Sequence, residues 1–412
     1  MLKQNISYSM LTNLSRLLFG LFIFIFLSRL LSLSDFGQYV YFIIISGYFS
    51  IFTDFGFNLS ILNDVPKHPK KVKNFFYEIL YSKTILVIIS FLVIFVFFGT
   101  LNELYILILF IIGAIIQSYA SLIINIFKAF NQFDKELSYI LITNLTMIIF
   151  IVIYKDNLSL YFLGYLLIVS RLLGFLYLIW MFYKKFTAYE VIESLNLSIK
   201  VLKDNFKYAI HMIIGGLFLS IDIPIMKELL TYEDVAIYSA GMKLFVALVI
   251  IADVLNASFM PKLSEYIKKD QHFFEQLTKK LIFILFILGF LLANIVYWFG
   301  SNVILMLYGD NYSELYKLLP YFAVGLFIRY LSFAYGTLVT LADKQHIRAI
   351  LMAIVFFVHV GLNLILQSYL GIVGAIIALC ISFSILLFAN MYFVYRYYNH
   401  IFLNFKVWKL TI

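Results

Sequence analysis

Cysteine is almost absent from this chain: Cys380 is the only one in 412 residues. It lies in a long apolar run, so no intrachain disulfide can form and the residue carries no information about redox compartment. Charge is scarce as well, at 13% Asp, Glu, Lys and Arg together. No glycine-rich loop ends in Lys followed by Ser or Thr, which excludes ATP use through that phosphate cradle. No His or Cys cluster has metal-ligand spacing, so neither a metal nor another cofactor is expected. No stretch has the length and mixed composition of a soluble domain.

What the chain does have is apolar sequence. Hydrophobic residues make up 63% of it, and the mean hydropathy is +0.97. No water-soluble core could bury so much. The apolar residues fall in runs such as Phe75 to Phe98 and Leu281 to Phe299, long enough for a helix to cross about 30 Å of hydrocarbon. A membrane β-barrel would instead show short alternating strands. The spacing predicts twelve transmembrane helices, over 9–31, 36–62, 75–98, 101–127, 137–154, 159–182, 208–228, 235–258, 281–299, 320–341, 349–368 and 371–395. The first run is too long for a signal peptide and lacks a small-residue cleavage site, so it reads as a retained anchor.

Basic residues beside short loops stay in the cytoplasm. With the N-terminus inside, cytoplasmic segments hold 22 of the 31 Lys and Arg residues, and the opposite loops hold Arg29, Lys155, Lys227 and Lys317. Both termini are therefore expected in the cytoplasm. The net charge of +9 then reflects topology beside anionic lipid, and calls for no nucleic acid. Residues 183–207 read as an amphipathic cytoplasmic linker. They divide the chain into an N-terminal six-helix lobe, 1–182, and a C-terminal one, 208–412.

The halves share a repeat. "LLSLSDFGQYV" at 30–40 matches "LLTYEDVAIYS" at 229–239, and the offset of 199 residues holds without a gap to Asp54 and Asp253. Each copy opens a span, six crossings apart, which makes the repeat a parallel one with both copies entering from the same face. Locally, the Ser and Asp of these stretches read as helix caps.

Charged groups within the spans are costly in hydrocarbon and face a partner or a cavity. Counting about 1.5 Å per residue, Arg16 and Asp54 fall at one depth near the cytoplasmic face, and Asp222 and Lys243 at one depth near the other; each couple is placed to pair. Arg171 and Arg329 fall near mid-membrane with no acid at their depth, and a guanidinium there can hold phosphate oxygens in bidentate fashion. His359 is a further titratable group, best read as a packing residue with a coupling role as the alternative. Pro224 is expected to kink the seventh span.

The stretches "LSRLLSLSDFGQYVYFIIISGYFSIFTDFG", "SIDIPIMKELLTYEDVAIYSAGMKL", "SFMPKLSEYI" and "MLYGDNYSELYKLLP" resemble Wzx-type polysaccharide flippases of the MOP superfamily. The resemblance implies two six-helix lobes around a central cavity. It also implies carriage of an undecaprenyl-diphosphate-linked oligosaccharide across the bacterial inner membrane for a surface polysaccharide such as O-antigen or capsule, with a polysaccharide polymerase and a chain-length regulator as neighbours in the pathway. On that reading Arg171, Arg329, Arg16 and Lys243 meet the cargo, while Asp54, Asp222 and His359 couple or gate. Two other functions fit the composition: a MATE-like cation or drug antiporter, and a membrane-embedded polymerase or acyltransferase. The antiporter would favour intramembrane acids over arginines. The enzyme would need acid, base or nucleophile together at an accessible face, and the longest external loop, about 300–319, holds no His or Arg.

Overall fold

A computed structural model describes residues 2–97, 101–187, 199–342 and 345–398. Among them there is no strand. Fourteen α-helices are described: α1 Leu2–Leu30, α2 Leu33–Asp54, α3 Phe57–Asp64, α4 Val72–Phe97, α5 Leu101–Ala129, α6 Asp134–Ile153, α7 Leu160–Phe186, α8 Ile199–Phe218, α9 Asp222–Leu229, α10 Tyr232–Lys269, α11 Gln271–Tyr308, α12 Leu319–Leu341, α13 Gln345–Leu370 and α14 Ile372–Tyr397. Helices dominate because their backbone hydrogen bonds close within the segment, as hydrocarbon requires. Eleven are long and apolar enough to cross a membrane, or twelve spans if α8 and α9 form one broken crossing.

The chain divides into two compact units, Met1–Ser220 and Ile221–Ile412. In the first, α5 packs against α2 and α7, and α6 lies against α1 and α7. Phe76, Phe127, Phe182 and Phe186 fill one end of its core. In the second, α12 is central, packed against α10, α11 and α14, and α13 pairs with α14. Residues 188–198 of the expected linker lie outside the described residues. Its start completes α7 and its end opens α8, which belongs to the first unit.

The two matched stretches start helices in the same way. Ser32 Oγ accepts from Asp35 N at 3.1 Å and donates to Asp35 Oδ2 at 2.6 Å. Thr231 Oγ1 accepts from Asp234 N at 3.2 Å and donates to Asp234 Oδ2 at 2.7 Å. Both satisfy backbone N–H groups that the first turn leaves without partners.

Two expected spans are interrupted. The second ends at Asp54, because Phe55 (φ 41°) and Gly56 (φ 75°) are left-handed, and the chain restarts as α3. Gly56 is needed there twice over. A Cβ on it would lie 2.4 Å from Tyr208 Cβ and 2.7 Å from Tyr208 C, so α8 can approach only a glycine. The seventh span breaks at 219–221, ahead of Pro224, instead of kinking at it. Pro224 is the third residue of α9, where its missing N–H costs nothing, while its ring would collide with the Ser220 carbonyl in a continuous helix.

Candidate functional site

In the first unit the break after α2 places Asp54 at a helix C-terminus, and Lys83 of α4 fills the space beside it. Lys83 Nζ lies 2.6 Å from Asp54 Oδ1 and donates to Ser118 O of α5 at 2.7 Å. Ser118 Oγ donates to the same carboxylate at 2.5 Å, and Asn58 Nδ2 donates to Asp54 Oδ2 at 3.2 Å. Lys83 is wholly buried. Asp54 is thus saturated by its own unit, and the matched depths of Arg16 and Asp54 do not make a couple. Arg16 of α1 bonds Glu136 of α6 at 2.7 Å, and Lys128 bonds the other oxygen of Glu136 at 2.8 Å. The reason is direction: α1 packs on α6, whereas α2 packs on α4 and α5.

Arg171 of α7 is different in kind. Its Nη1 is buried and finds no hydrogen-bond acceptor among the described residues. It lies against Gly113 of α5, where a Cβ would come within 3.3 Å of Nη1. Tyr39 and Tyr139 are the groups near enough to act on its charge.

In the second unit Arg329 of α12 lies between two rings, 4.2 Å from the Phe333 centroid and 4.8 Å from that of Phe383. Such faces are electronegative and take a cation without neutralising it. Asp253 and Arg348 act on it from longer range. Asp253 of α10 is therefore near Arg329, against the expectation that no acid lies at its depth; α10 runs on to Lys269, so depths on it cannot be counted from an assumed span end.

Asp222 is the first residue of α9 and does not pair with Lys243, which is half-buried on α10. It is wholly buried and meets His359 of α13, with Nε2 at 2.7 Å from Oδ1. Tyr238 of α10 donates a short hydrogen bond to Oδ2. The other ring nitrogen of His359, Nδ1, is 2.9 Å from Ser382 Oγ of α14. Gln367 Nε2 donates to Asn363 Oδ1 at 2.6 Å and to the Asp222 carbonyl at 3.3 Å. The structure thus brings Asp222 and His359 together and keeps Arg16 from Asp54.

Three of these groups are not evident from span depths as read. Lys83 has a visible signal, a lysine eight residues into its span at the depth of Asp54. Glu136 falls just outside the expected fifth span. Tyr238 has no signal, since the sequence holds 31 tyrosines.

The comparisons agree with this architecture. Residues 2–267 match the model of a family described as "Polysaccharide biosynthesis protein". A capsular polysaccharide biosynthesis protein, CapF of Staphylococcus aureus, is 22% identical over 400 residues, spanning 95% of this chain and 99% of that protein. Among solved structures, an inward-facing MATE multidrug transporter of the MOP superfamily aligns with TM-score 0.75 at 14% identity, over 94% of this chain and 95% of the other. The lipid II flippase MurJ, in an inward closed conformation, aligns with TM-score 0.75 at 17% identity, over 94% and 87%. These structural likenesses establish the MOP transporter fold. With that fold, a multi-pass helical membrane architecture and a family match over more than half its length, the chain belongs to the polysaccharide biosynthesis protein family.

Proposed function

We propose that this protein is a flippase, not an enzyme, that carries undecaprenyl-diphosphate-linked oligosaccharide units across the bacterial inner membrane. The observation that carries the reading is Arg171. A buried guanidinium nitrogen without an acceptor is costly in a membrane unless a ligand completes it. Asp54 with Lys83 and Asp222 with His359 close their charges within the protein. Arg171, and Arg329 packed between two ring faces with Asp253 acting on it only from longer range, leave positive charge for an anionic cargo.

In this proposal Arg171 and Arg329 make the transport path cationic and meet the diphosphate of the cargo. The diphosphate exchanges its water for planar guanidinium donors, and attraction between such groups strengthens as water leaves. Hydration of the glycan hydroxyls and retention of the lipid tail in the bilayer keep the rest of the cargo in its preferred solvents. Alternating access then exposes the cargo first to the cytoplasm and then to the opposite face. The shared cap geometry at Ser32 and Thr231 supports a parallel duplication of two six-helix lobes, with both termini in the cytoplasm.

The test replaces each arginine in turn and follows movement of a fluorescent polyprenyl-diphosphate oligosaccharide in proteoliposomes. Arg171→Gln and Arg329→Gln are expected to abolish movement at normal protein yield. The Lys variants should keep part of it, because charge survives when the fork is lost. Wild-type rates in both Gln variants would overturn the cationic mechanism.

A further inference from the structure

The first unit holds a cavity that none of its charged groups uses. Its volume is about 200 Å³, and its lining comes from three helices: Phe76 and Leu80 of α4, Leu122 and Ile123 of α5, and Phe175 and Ile179 of α7. One end is closed. There the Phe76 and Phe182 rings meet with centroids 4.5 Å apart, and Tyr77 and Tyr183 bond hydroxyl to hydroxyl. The cavity is not sealed along its length. Tyr183 on its rim is 52% exposed, and Leu176 and Trp180 of α7 and Tyr81 of α4 are exposed beside it. In a membrane-spanning unit such faces meet hydrocarbon, so the cavity opens to lipid.

Two lysines stand just past the closed end. Lys185 Nζ lies among three rings, 4.6 Å from the Phe130 centroid, 5.1 Å from Phe186 and 5.5 Å from Phe127. Lys184 Nζ lies 5.2 Å from the Trp180 centroid. Ring faces hold an ammonium without cancelling its charge. The acids at this end are engaged elsewhere: Asp134 pairs with Lys135 at 2.7 Å, and Glu136 with Arg16 and Lys128. Among the described residues neither Lys184 nor Lys185 is ion-paired. Lys73 and Glu78 of α4 are the remaining charges on the three lining helices near this end. The step from cavity to lysine is the same on two helices, Ile123 to Phe127 on α5 and Phe182 to Phe186 on α7. Four residues of helix are about 6 Å.

A ligand that satisfies both places carries a single anionic group a few ångströms from an apolar chain. We infer that the space between α4 and α7 seats one acyl chain of an anionic glycerophospholipid, with its phosphate diester on Lys184 and Lys185. The charge bias of the sequence assigns this end of the unit to the cytoplasmic leaflet, where anionic headgroups lie beside basic residues. A zwitterionic headgroup brings an ammonium of its own, which two uncompensated lysines repel. The bound chain fills a gap that the side chains of the unit leave open, so the lipid is a packing element of the first unit and stabilises it by binding the folded form. The inference stands apart from the transport reading, which uses neither these lysines nor this cavity.

The experiment is native mass spectrometry of the full chain in detergent, titrated with dioleoyl-phosphatidylglycerol or with dioleoyl-phosphatidylcholine. The wild type is expected to retain one phosphatidylglycerol where it retains no phosphatidylcholine. Lys184→Gln/Lys185→Gln should weaken that retention by about tenfold or more, since two cations are lost beside one phosphate. Ile179→Trp, which fills the cavity, should bring it down to the level of phosphatidylcholine. Should that variant fail to fold, glycerophosphoglycerol, the headgroup without its chains, and inorganic phosphate must both fail to displace the dioleoyl lipid from the wild type. Equal retention of the two lipids would overturn the inference, as would unchanged binding in the lysine variant or displacement by either chain-free anion. Displacement of phosphatidylglycerol by an equimolar polyprenyl phosphate would give the cavity to a polyprenyl tail and overturn the assignment to phospholipid. Loss of lipid-oligosaccharide movement in proteoliposomes, with phosphatidylglycerol retained, would count against the transport reading and leave the lipid site standing.

Discussion

Lys83 Nζ is 2.6 Å from Asp54 Oδ1, the lysine wholly buried and the carboxylate side chain 18% exposed. This asymmetry decides which partner matters more. Asp54→Asn leaves an ammonium in the interior with neutral partners alone, the Ser118 carbonyl, the Tyr119 ring and the amide oxygen that replaces the carboxylate, and should destabilise the first unit by about 3–5 kcal/mol. Lys83→Met leaves a carboxylate that still receives Ser118 and Asn58 and can reach water, and should cost less. The double variant Asp54→Asn/Lys83→Met should recover most of the loss. Chemical unfolding of the purified protein in detergent measures all three; a double variant no better than Asp54→Asn would show that the pair is not a closed couple.

Arg16 should behave as a surface group. Its side chain is 58% exposed, and Glu136 keeps Lys128 when Arg16 is removed. Arg16→Ala should therefore shift stability by less than about 1 kcal/mol, and Glu136→Gln, which frees two cations, by more. Exchanging the charges of Arg16 and Asp54 should rescue nothing, since they have different partners. Recovery of folding in that double swap would contradict the contacts described here.

Gly56→Ala combines a left-handed backbone with a Cβ 2.4 Å from another side-chain atom. The variant should lose folded yield, read by size-exclusion chromatography of the membrane extract. Gly215→Ala on α8, where a Cβ meets nothing within 4 Å, is the control and should be neutral or gain up to about 1 kcal/mol of helix propensity.

Topology is open to a direct check. Reporters fused after residue 69, within 190–200, and at the C-terminus should be cytoplasmic, and one fused near 311 should lie outside. The opposite signal at 311 would remove one crossing and, with it, the parallel relation of the two halves.

Much of the fold is legible in the chain because it depends on local quantities. Span lengths follow from hydropathy, and the breaks at Gly56 and before Pro224 coincide with residues of special backbone chemistry. The caps at Ser32 and Thr231 need only side chains three residues apart. Counting depth succeeds for Lys83 and Asp54 in principle, yet depth is one coordinate among three. Arg16 shares that depth and faces α6 instead.

The sequence by itself determined that this is a multi-pass helical membrane protein, since apolar runs of that length have no other solvent, and it singled out Arg171, Asp222 and His359 as charged or titratable groups within those runs. Only the tertiary structure decided how those charges are satisfied. A helix presents a side chain in a direction set by its rotation about its own axis, and that rotation is fixed by packing against neighbours far away in the chain. So Asp222 met His359, 137 residues on, instead of Lys243, while Arg171 Nη1 was left without an acceptor.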